Sequence, residues 1–418
     1  MIRTITYKLY PNSTQQKRLL EVLELNRVLY NVGLDHRIQN YRHQYKQHIS
    51  YFTQCKELTE LRASFPEFKA LNATCSNNTL LRLDRAFKDF YARLKNKQKT
   101  GFPRFKSRNR FHSWVYEYPE NGCKFLSNRK IKLQEVGAIS FRGDLAYFDC
   151  KVKTVTILLK NNKWYALVVY DIPQEKSKRE AGNQAFGLDW GVSTFATLCS
   201  DQDEIVEYEN PRFLQKAQKQ IKYHQRSVSR KKLGSKNRKH AVRKLANKHA
   251  KVARQRKAYC HKVSSEIVSR SALIAVEKLD VKPMTKKGTY KGKRTLNRNV
   301  LDTTPGQFHE MLKYKAEEAG IFYIEIDTRK YKPTQTCSEC FAQEKKTLSE
   351  RTHNCKKCGY INGRDINASR TILRVAMLDY LEQAEKDRLV ALLQQNSLKR
   401  AMCGNVSLGN VNEALSNC

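Results

Sequence analysis

Two Cys-x-x-Cys pairs, Cys337 with Cys340 and Cys355 with Cys358, are separated by residues 341–354. Two such knuckles can set four thiolates at the corners of a tetrahedron of the size zinc prefers. A closed set of four leaves no position for a substrate water, so the zinc this predicts is structural. The alternatives are coincidence among twelve cysteines or a redox pair, and the doubled spacing argues against both. Gly359 follows the second pair, where a knuckle turn favours glycine, but Phe341 follows the first, which predicts a distorted first knuckle with its ligands intact.

Three isolated carboxylates form a second set. Asp189 lies inside the apolar run AFGLDWGVSTF and Glu277 ends the run ALIAVE, and a lone acid in such a place needs a reason because burying an unpaired charge is expensive. Asp365 opens a helical pattern in GRDINASRTIL, where the helix N-terminus favours negative charge. Taken singly, Asp365 reads as a cap, Glu277 as a partner of Lys278 and Asp189 as the end of a strand. Brought together at the ends of adjacent strands and a helix, they would repel one another unless divalent cations bound between them. Such a cluster suits two-metal phosphodiester hydrolysis with two magnesium ions.

Residues 211–265 contain no Asp or Glu, and the basic residues there include Arg230, Arg238, Lys239, Arg243, Lys248, Arg254 and Arg256. A helix of one sign repels itself and implies a polyanion beside it, while Val242, Leu245, Ala246, Val252 and Val263 keep a partial apolar stripe for packing. Further upstream, GFPRFKSRNRFHSW interleaves aromatic and basic residues. Phe102, Phe105 and Trp114 could stack on bases while Arg104, Lys106 and Arg108 hold phosphates, the competing reading being ordinary core. Asn77, Asn78 and Arg82, at the start of a helical stretch, are candidates for reading a short DNA motif, with Lys88 and Arg93 on phosphate.

The elements that must position these groups are legible from periodicity. Residues 14–43 and 76–97 carry apolar positions three or four apart and read as helices, the second capped by Ser76 or Asn77, with an interrupted helical stretch between them. VKTVTILL and WYALVVYDI flank a turn-like Lys160-Asn161-Asn162-Lys163 and read as a hairpin, and KIKLQEV, GAISFRG and the first segment IRTITYKLY join it in a small antiparallel barrel or sheet. From Gln184 onward a strand, a very long helix over 211–270, a strand, a helix, a strand and a last helix near Asp365 argue for an α/β sheet with parallel neighbours. The cysteine pairs are inserted in it. The end of the chain, 401–418, loses periodicity.

The chain has 418 residues, 79 Lys or Arg against 40 Asp or Glu, a formal charge of +39 and 40% apolar residues. That is enough apolar surface for one large or several smaller cores, which excludes wholesale disorder, and a field this positive points to nucleic acid. No apolar run is long enough for a membrane span or a secretory leader, and the scattered cysteines do not suit a disulfide scaffold, so a cytoplasmic protein is expected.

Taken together, YKLYP with NRVLYN, RAFKDFYARLK with GFPRFKSR, GLDWGVS, AVEKLDVK, MLKYKAEEAGI, TQTCSEC and HNCKKCGYINGRDINAS resemble the TnpB family, the OrfB-type proteins of bacterial insertion sequences related to compact type V CRISPR effectors. The resemblance implies that Asp189, Glu277 and Asp365 are RuvC-like nuclease acids and that Cys337, Cys340, Cys355 and Cys358 hold zinc. It implies an α/β RNase H-like (RuvC) nuclease with a zinc-ribbon insertion, an N-terminal helical domain and a wedge-like β-barrel. The expected layout is a first barrel strand in 1–10, helical recognition in 11–120, the barrel in 121–175, nuclease in 176–330, zinc ribbon in 331–360, the nuclease's last part in 361–381 and a tail in 382–418. The implied activity is magnesium-dependent, RNA-guided cleavage of double-stranded DNA beside a short transposon-adjacent motif, by a bacterial, nucleoid-associated protein with a guide RNA from the element's end. No membrane and no small-molecule substrate are expected. The chain departs from the commoner pattern at Gly363, Thr371 and Trp190. A nuclease-inactive regulator and a strand-transferring transposase are the competing readings.

Overall fold

In Lys163–Asp171 every second residue is buried and the others are not, the signature of a strand with one face on a core. The computed structural model describes residues 1–44, 49–126, 129–173, 179–286, 288, 292–347 and 350–391. They fall into two compact units that divide between residues 176 and 177.

The first unit carries seven antiparallel strands: β1 (Ile2–Tyr10), β2 (Ser113–Tyr116), β3 (Cys123–Leu126), β4 (Lys130–Leu133), β5 (Gly137–Arg142), β6 (Lys151–Lys160) and β7 (Lys163–Asp171), in the order β2-β6-β7-β1-β5-β4-β3. The β6–β7 turn has Asn161 and Asn162 both at positive φ, 52° and 60°, a two-residue turn whose twist matches the strands it joins. The first strand returns, as expected, to pair with β7 and β5. The Tyr7 and Phe125 rings lie 5.9 Å apart although β5 and β4 separate their strands, where a flat sheet would hold them ~14 Å apart, so the sheet curls over its own core. Of the barrel or sheet expected, this is the curled open sheet: among the described residues β2 and β3 remain edges. The helix Ala73–Lys95 packs on β2, and Arg82 donates to the Ser113 carbonyl there at 2.6 Å.

The helices of this unit are Ser13–Gln39, Tyr51–Ser64, Pro66–Lys69 and Ala73–Lys95. Asn12 and Gln15 close a reciprocal capping box on the first. The last begins four to five residues earlier than a cap at Ser76 or Asn77 would place it, because Asn72 accepts from the Thr74 and Cys75 N–H groups.

The second unit is built on a five-stranded sheet, β10-β9-β8-β11-β12, from β8 (Gln184–Trp190), β9 (Thr194–Ser200), β10 (Ile205–Glu209), β11 (Ser271–Glu277) and β12 (Phe322–Ile326). β8, β11 and β12 run parallel; β9 and β10 are antiparallel. The run AFGLDWGVSTFATLCS is thus two strands, bent at 191–193. Every residue of β8 and β11 is buried, as befits central strands covered on both faces. Ile274, Val276, Phe186, Leu188 and Trp190 face one core with Val263, Ile267, Phe308 and Leu312, while Ala185, Leu273 and Ala275 face the other with Ile372 and Leu373. The long helical stretch is a pair, Phe213–Ser229 and Lys236–Arg270, broken where Gly234 takes φ 82° and Ser235 caps the second helix. No helix among the described residues is long and apolar enough to cross a membrane. Residues 392–418, with the aperiodic stretch 401–418, lie outside the described residues.

Candidate active site and metal centre

Asp189 is the penultimate residue of β8 and Glu277 the last of β11, and the two strands are parallel neighbours with Val276 opposite Leu188. Both acids therefore lie at the carboxyl ends of central strands, where open α/β sheets place their ligands. Side chains alternate along a strand, so Asp189 shares the face of Gly187, and Glu277 that of Leu273 and Ala275. The helix Arg364–Val375 packs on that face. It comes so near that a Cβ on Gly187 would stand 2.0 Å from the Ser369 carbonyl oxygen. Ser369 is one turn from Asp365 and Gly187 two residues from Asp189, comparable steps of about 6 to 7 Å along helix and strand.

The electrostatics follow. Burial first, then the charges of Glu277 and Asp365, push the Asp189 carboxyl well above the usual carboxylate range, with Arg364 acting the other way. Burial raises Glu277 to about 7. Asp189 and Glu277 are 7% and 9% exposed, and among the described residues neither side chain makes a hydrogen bond or ion pair. Asp365 is more open and pairs with Arg364 at 3.1 Å. Asp189 and Glu277, buried with no ion pair of their own among the described residues and with only Arg364 nearby to offset three acids, fit divalent cations. They are not drawn in as tightly as the cysteines: among the described residues the four thiols are the one close group of candidate ligands, all within 4.8 Å of one another.

In the cysteine cluster, the Cys337–Cys358 and Cys340–Cys355 sulfurs are 3.7 and 3.5 Å apart, close to the ~3.8 Å edge of a tetrahedron with 2.3 Å zinc–sulfur bonds. The two knuckles are near copies. Cys337 N–H donates to Ala342 and Phe341 N–H to Cys337; Cys355 N–H donates to Tyr360 and Gly359 N–H to Cys355. Phe341 adopts φ 56° where Gly359 adopts 73°, so the first knuckle is not distorted: Phe341 takes the left-handed turn that glycine takes in the second. Its ring lies under the Arg374 guanidinium, 5.0 Å away. The backbone N–H of Cys358 helps hold the Cys355 thiol down to about 7, which favours a thiolate.

Asn367, which the sequence reading missed, joins the two centres. From the helix that carries Asp365 it donates to the Thr336 carbonyl at 2.7 Å and accepts from Ser338 N–H at 2.9 Å, while Thr371 adds a bond to Thr336. An amide two residues after a candidate acid was the available signal.

The nucleic-acid candidates separate into two groups. Arg104, Arg230, Lys239, Arg243 and Arg254 are exposed, and Lys106 is half-buried with its ammonium over the Tyr30 ring. Others are engaged within the protein. Arg238 donates to the Val228 carbonyl, Lys248 to Gln220, and Arg256 pairs with Asp302, itself bonded to Leu214 N–H at the start of Phe213–Ser229. Asn78 is 6% exposed and bonds Glu117, Arg82 is held by Ser113 and the Phe111 ring, and Asn77 stays half-buried. Trp114, expected to stack on bases, is fully buried against Trp164, because β2 turns it into the core. Phe102 and Phe105 are exposed.

Three family models match the chain: a probable transposase model of the OrfB type over residues 167–288, a Cas12f1-like TNB domain over 306–372 and a helix-turn-helix model over 1–46. The last coincides here with β1 and the long helix Ser13–Gln39. A putative RNA-guided DNA endonuclease of Streptomyces pristinaespiralis is 26% identical over 90% of this chain and 89% of its own. The putative RNA-guided DNA endonuclease InsQ of Escherichia coli K12 is 27% identical over 89% of this chain and 92% of its own. The Cas12f1 chain of a cryo-EM complex with single-guide RNA and target DNA superposes with a TM-score of 0.57 at 13% identity, covering 87% of this chain and 83% of that one, a likeness of fold. A five-stranded mixed sheet with acids at the ends of two parallel strands, a cysteine-paired insertion before the helix Arg364–Val375, and relatives aligned along nine-tenths of the chain together support a TnpB-type protein.

Proposed function

We propose that the chain is a transposon-associated RNA-guided DNA endonuclease. The observation that carries this reading is the convergence of two buried, uncompensated carboxylates, Asp189 and Glu277, with Asp365 at the N-terminus of the adjoining helix. These three residues would hold the magnesium ions, which when bound supply an activated water and stabilise the leaving oxygen. The chain's own part is to keep Asp189 and Glu277 on rigid central strands, to exclude bulk water from them, and to restrain Asp365 through Arg364. One zinc in the four-cysteine cluster is structural: it ties the insertion into a unit that Asn367 docks on the Asp365 helix. Exposed Arg230, Lys239, Arg243 and Arg254 on the basic helix pair would follow the phosphate backbone of a guide RNA or guide–target duplex, leaving sequence to base pairing. Residues 1–10 and 121–175, together with β2, would serve as the wedge-like element and the rest of 11–120 as the recognition region; of the residues expected to read the motif next to the transposon, half-buried Asn77 stays a candidate, whereas Asn78 and Arg82 are engaged within the protein.

The test is expression with the flanking DNA of its locus, sequencing of copurified RNA, and cleavage of a plasmid matched to that RNA in magnesium and in EDTA. Loss of cutting in Asp189→Ala, Glu277→Ala and Asp365→Ala is expected, with RNA binding retained. The matching probable-transposase model favours a second reading, strand transfer at the same acids. Joining of transposon ends by RNA-free protein would select it.

A further inference from the structure

At the end of the helix Ala73–Lys95 the chain turns at Asn96 and Lys97, the latter at φ 51°, and runs back along the helix. The returning strap is pinned: Lys106 N–H donates to Asn31, and the Lys106 carbonyl accepts from Arg27 and Asn31. Phe102 on this strap meets Phe87 at 5.5 Å and Phe90 at 5.4 Å, and Phe90 meets Tyr91 at 5.2 Å, all edge to face. Phe87 is buried beneath, but Tyr91, Leu94 and Phe102 are 48%, 56% and 47% exposed. Four interlocked rings on a pinned scaffold thus leave aromatic faces in solvent. Arg93, Lys95, Lys97, Lys99 and Arg104 around them are exposed, and Asp89 is the lone acid in residues 85–106.

We infer that this ledge is a stacking platform for unpaired DNA bases. Nothing in the core explains rings left half in water, whereas an aromatic surface within a positive rim is what a single strand needs: rings for the bases, cations for the phosphates. A second copy of the chain is disfavoured because two rims of the same sign would face each other. The inference rests on the guided-nuclease reading in one respect, the choice of strand. When a guide pairs with its target, the strand that loses its partners and offers free base faces is the displaced DNA strand.

The experiment uses the full chain without guide and three fluorescein-labelled probes of equal phosphate count: a dT 20-mer, an abasic DNA 20-mer and an rU 20-mer. The wild type should bind dT at least about tenfold more tightly than the abasic strand, the scale of one or two stacked bases. Tyr91→Ala combined with Phe102→Ala should erase that preference while leaving abasic affinity and its salt dependence unchanged. Tyr91→Trp should preserve it and place a tryptophan in solvent. Trp114, Trp164 and Trp190 are all buried, so quenching of emission by dT but not by the abasic strand reads the ledge directly. Equal binding of dT and abasic strands, a preference surviving the double alanine variant, or tighter binding of rU than dT would each overturn the inference. If base preference holds while guided cleavage fails, the proposed function falls and the ledge stands; the reverse result removes the ledge alone.

Discussion

Glu277 shows how one residue links site and stability. Its folded pKa of about 7 lies above the ~4.3 of an unfolded chain, so between these values the folded protein keeps a proton that the unfolded chain has released. Its contribution is intact below the lower value and is lost as pH rises towards 7, by about 3 kcal/mol, and Asp189 shifts in the same direction. In EDTA, melting temperatures followed from pH 5 to 8 should therefore fall more steeply for wild type than for Glu277→Gln, and magnesium at pH 8 should raise the wild-type value more. Parallel pH profiles would show that Glu277 is not the strained acid described. The zinc cluster has the opposite character. Its binding energy is folding energy, so Cys337→Ser and Cys355→Ser should lower folded yield and remove the one zinc per chain that a colorimetric release assay should find in wild type.

Among elements, the contact between β8 and the Arg364–Val375 helix is the tightest test of the site. Gly187→Ala would drive a methyl into the Ser369 carbonyl, and a helix so displaced carries Asp365 with it. A loss of about 3 kcal/mol or failure to fold is expected. Gly306→Ala, where a Cβ meets nothing within 4 Å, should instead be neutral or stabilise by up to about 1 kcal/mol; urea titration of both variants checks the contrast. The basic helix pair divides in a similar way. Changing exposed Arg230, Lys239, Arg243 and Arg254 together to Gln should flatten the slope of log affinity against log salt by up to about three units. Arg256→Gln should act on stability, costing about 3 kcal/mol, because it leaves the buried Asp302 carboxylate without its partner. An unchanged salt slope in the folded quadruple variant would mean that this face meets no polyanion.

At the scale of the molecule, each unit has cores of its own. The Tyr7, Trp114 and Val168 core and the smaller Leu29, Leu58 and Leu80 cluster lie in the first unit; the Phe186 and Ile274 core and the Ala275 and Ile372 core lie in the second. Residues 1–176 expressed alone should therefore fold, with a cooperative thermal transition by circular dichroism and dispersed amide resonances. A non-cooperative melt would show that the curled sheet depends on the rest of the chain. The charge of +39 belongs to this scale too, since it makes nucleic-acid binding by the whole chain strongly salt-dependent.

The cysteine spacing, the apolar runs around Asp189 and Glu277, the helix opening at Asp365 and the Asn-Asn hairpin turn were all legible in the sequence, because each is a local signal read over a few residues. What tertiary structure alone decided were the choices made by distant partners. The apolar pattern of the third long helix could not reveal that Asn72 caps it, and nothing near Trp114 shows that β6 and β7 take it into the core while Phe102 stays out. Arg256 and Arg254 look alike in a basic run until Asp302, far along the chain, claims one of them. The left-handed Phe341 is likewise held by a turn and by Arg374, not by its own preference. The physical reason is the same in each case: periodicity and spacing report backbone geometry, whereas burial and pairing are settled by which surfaces the fold brings into contact.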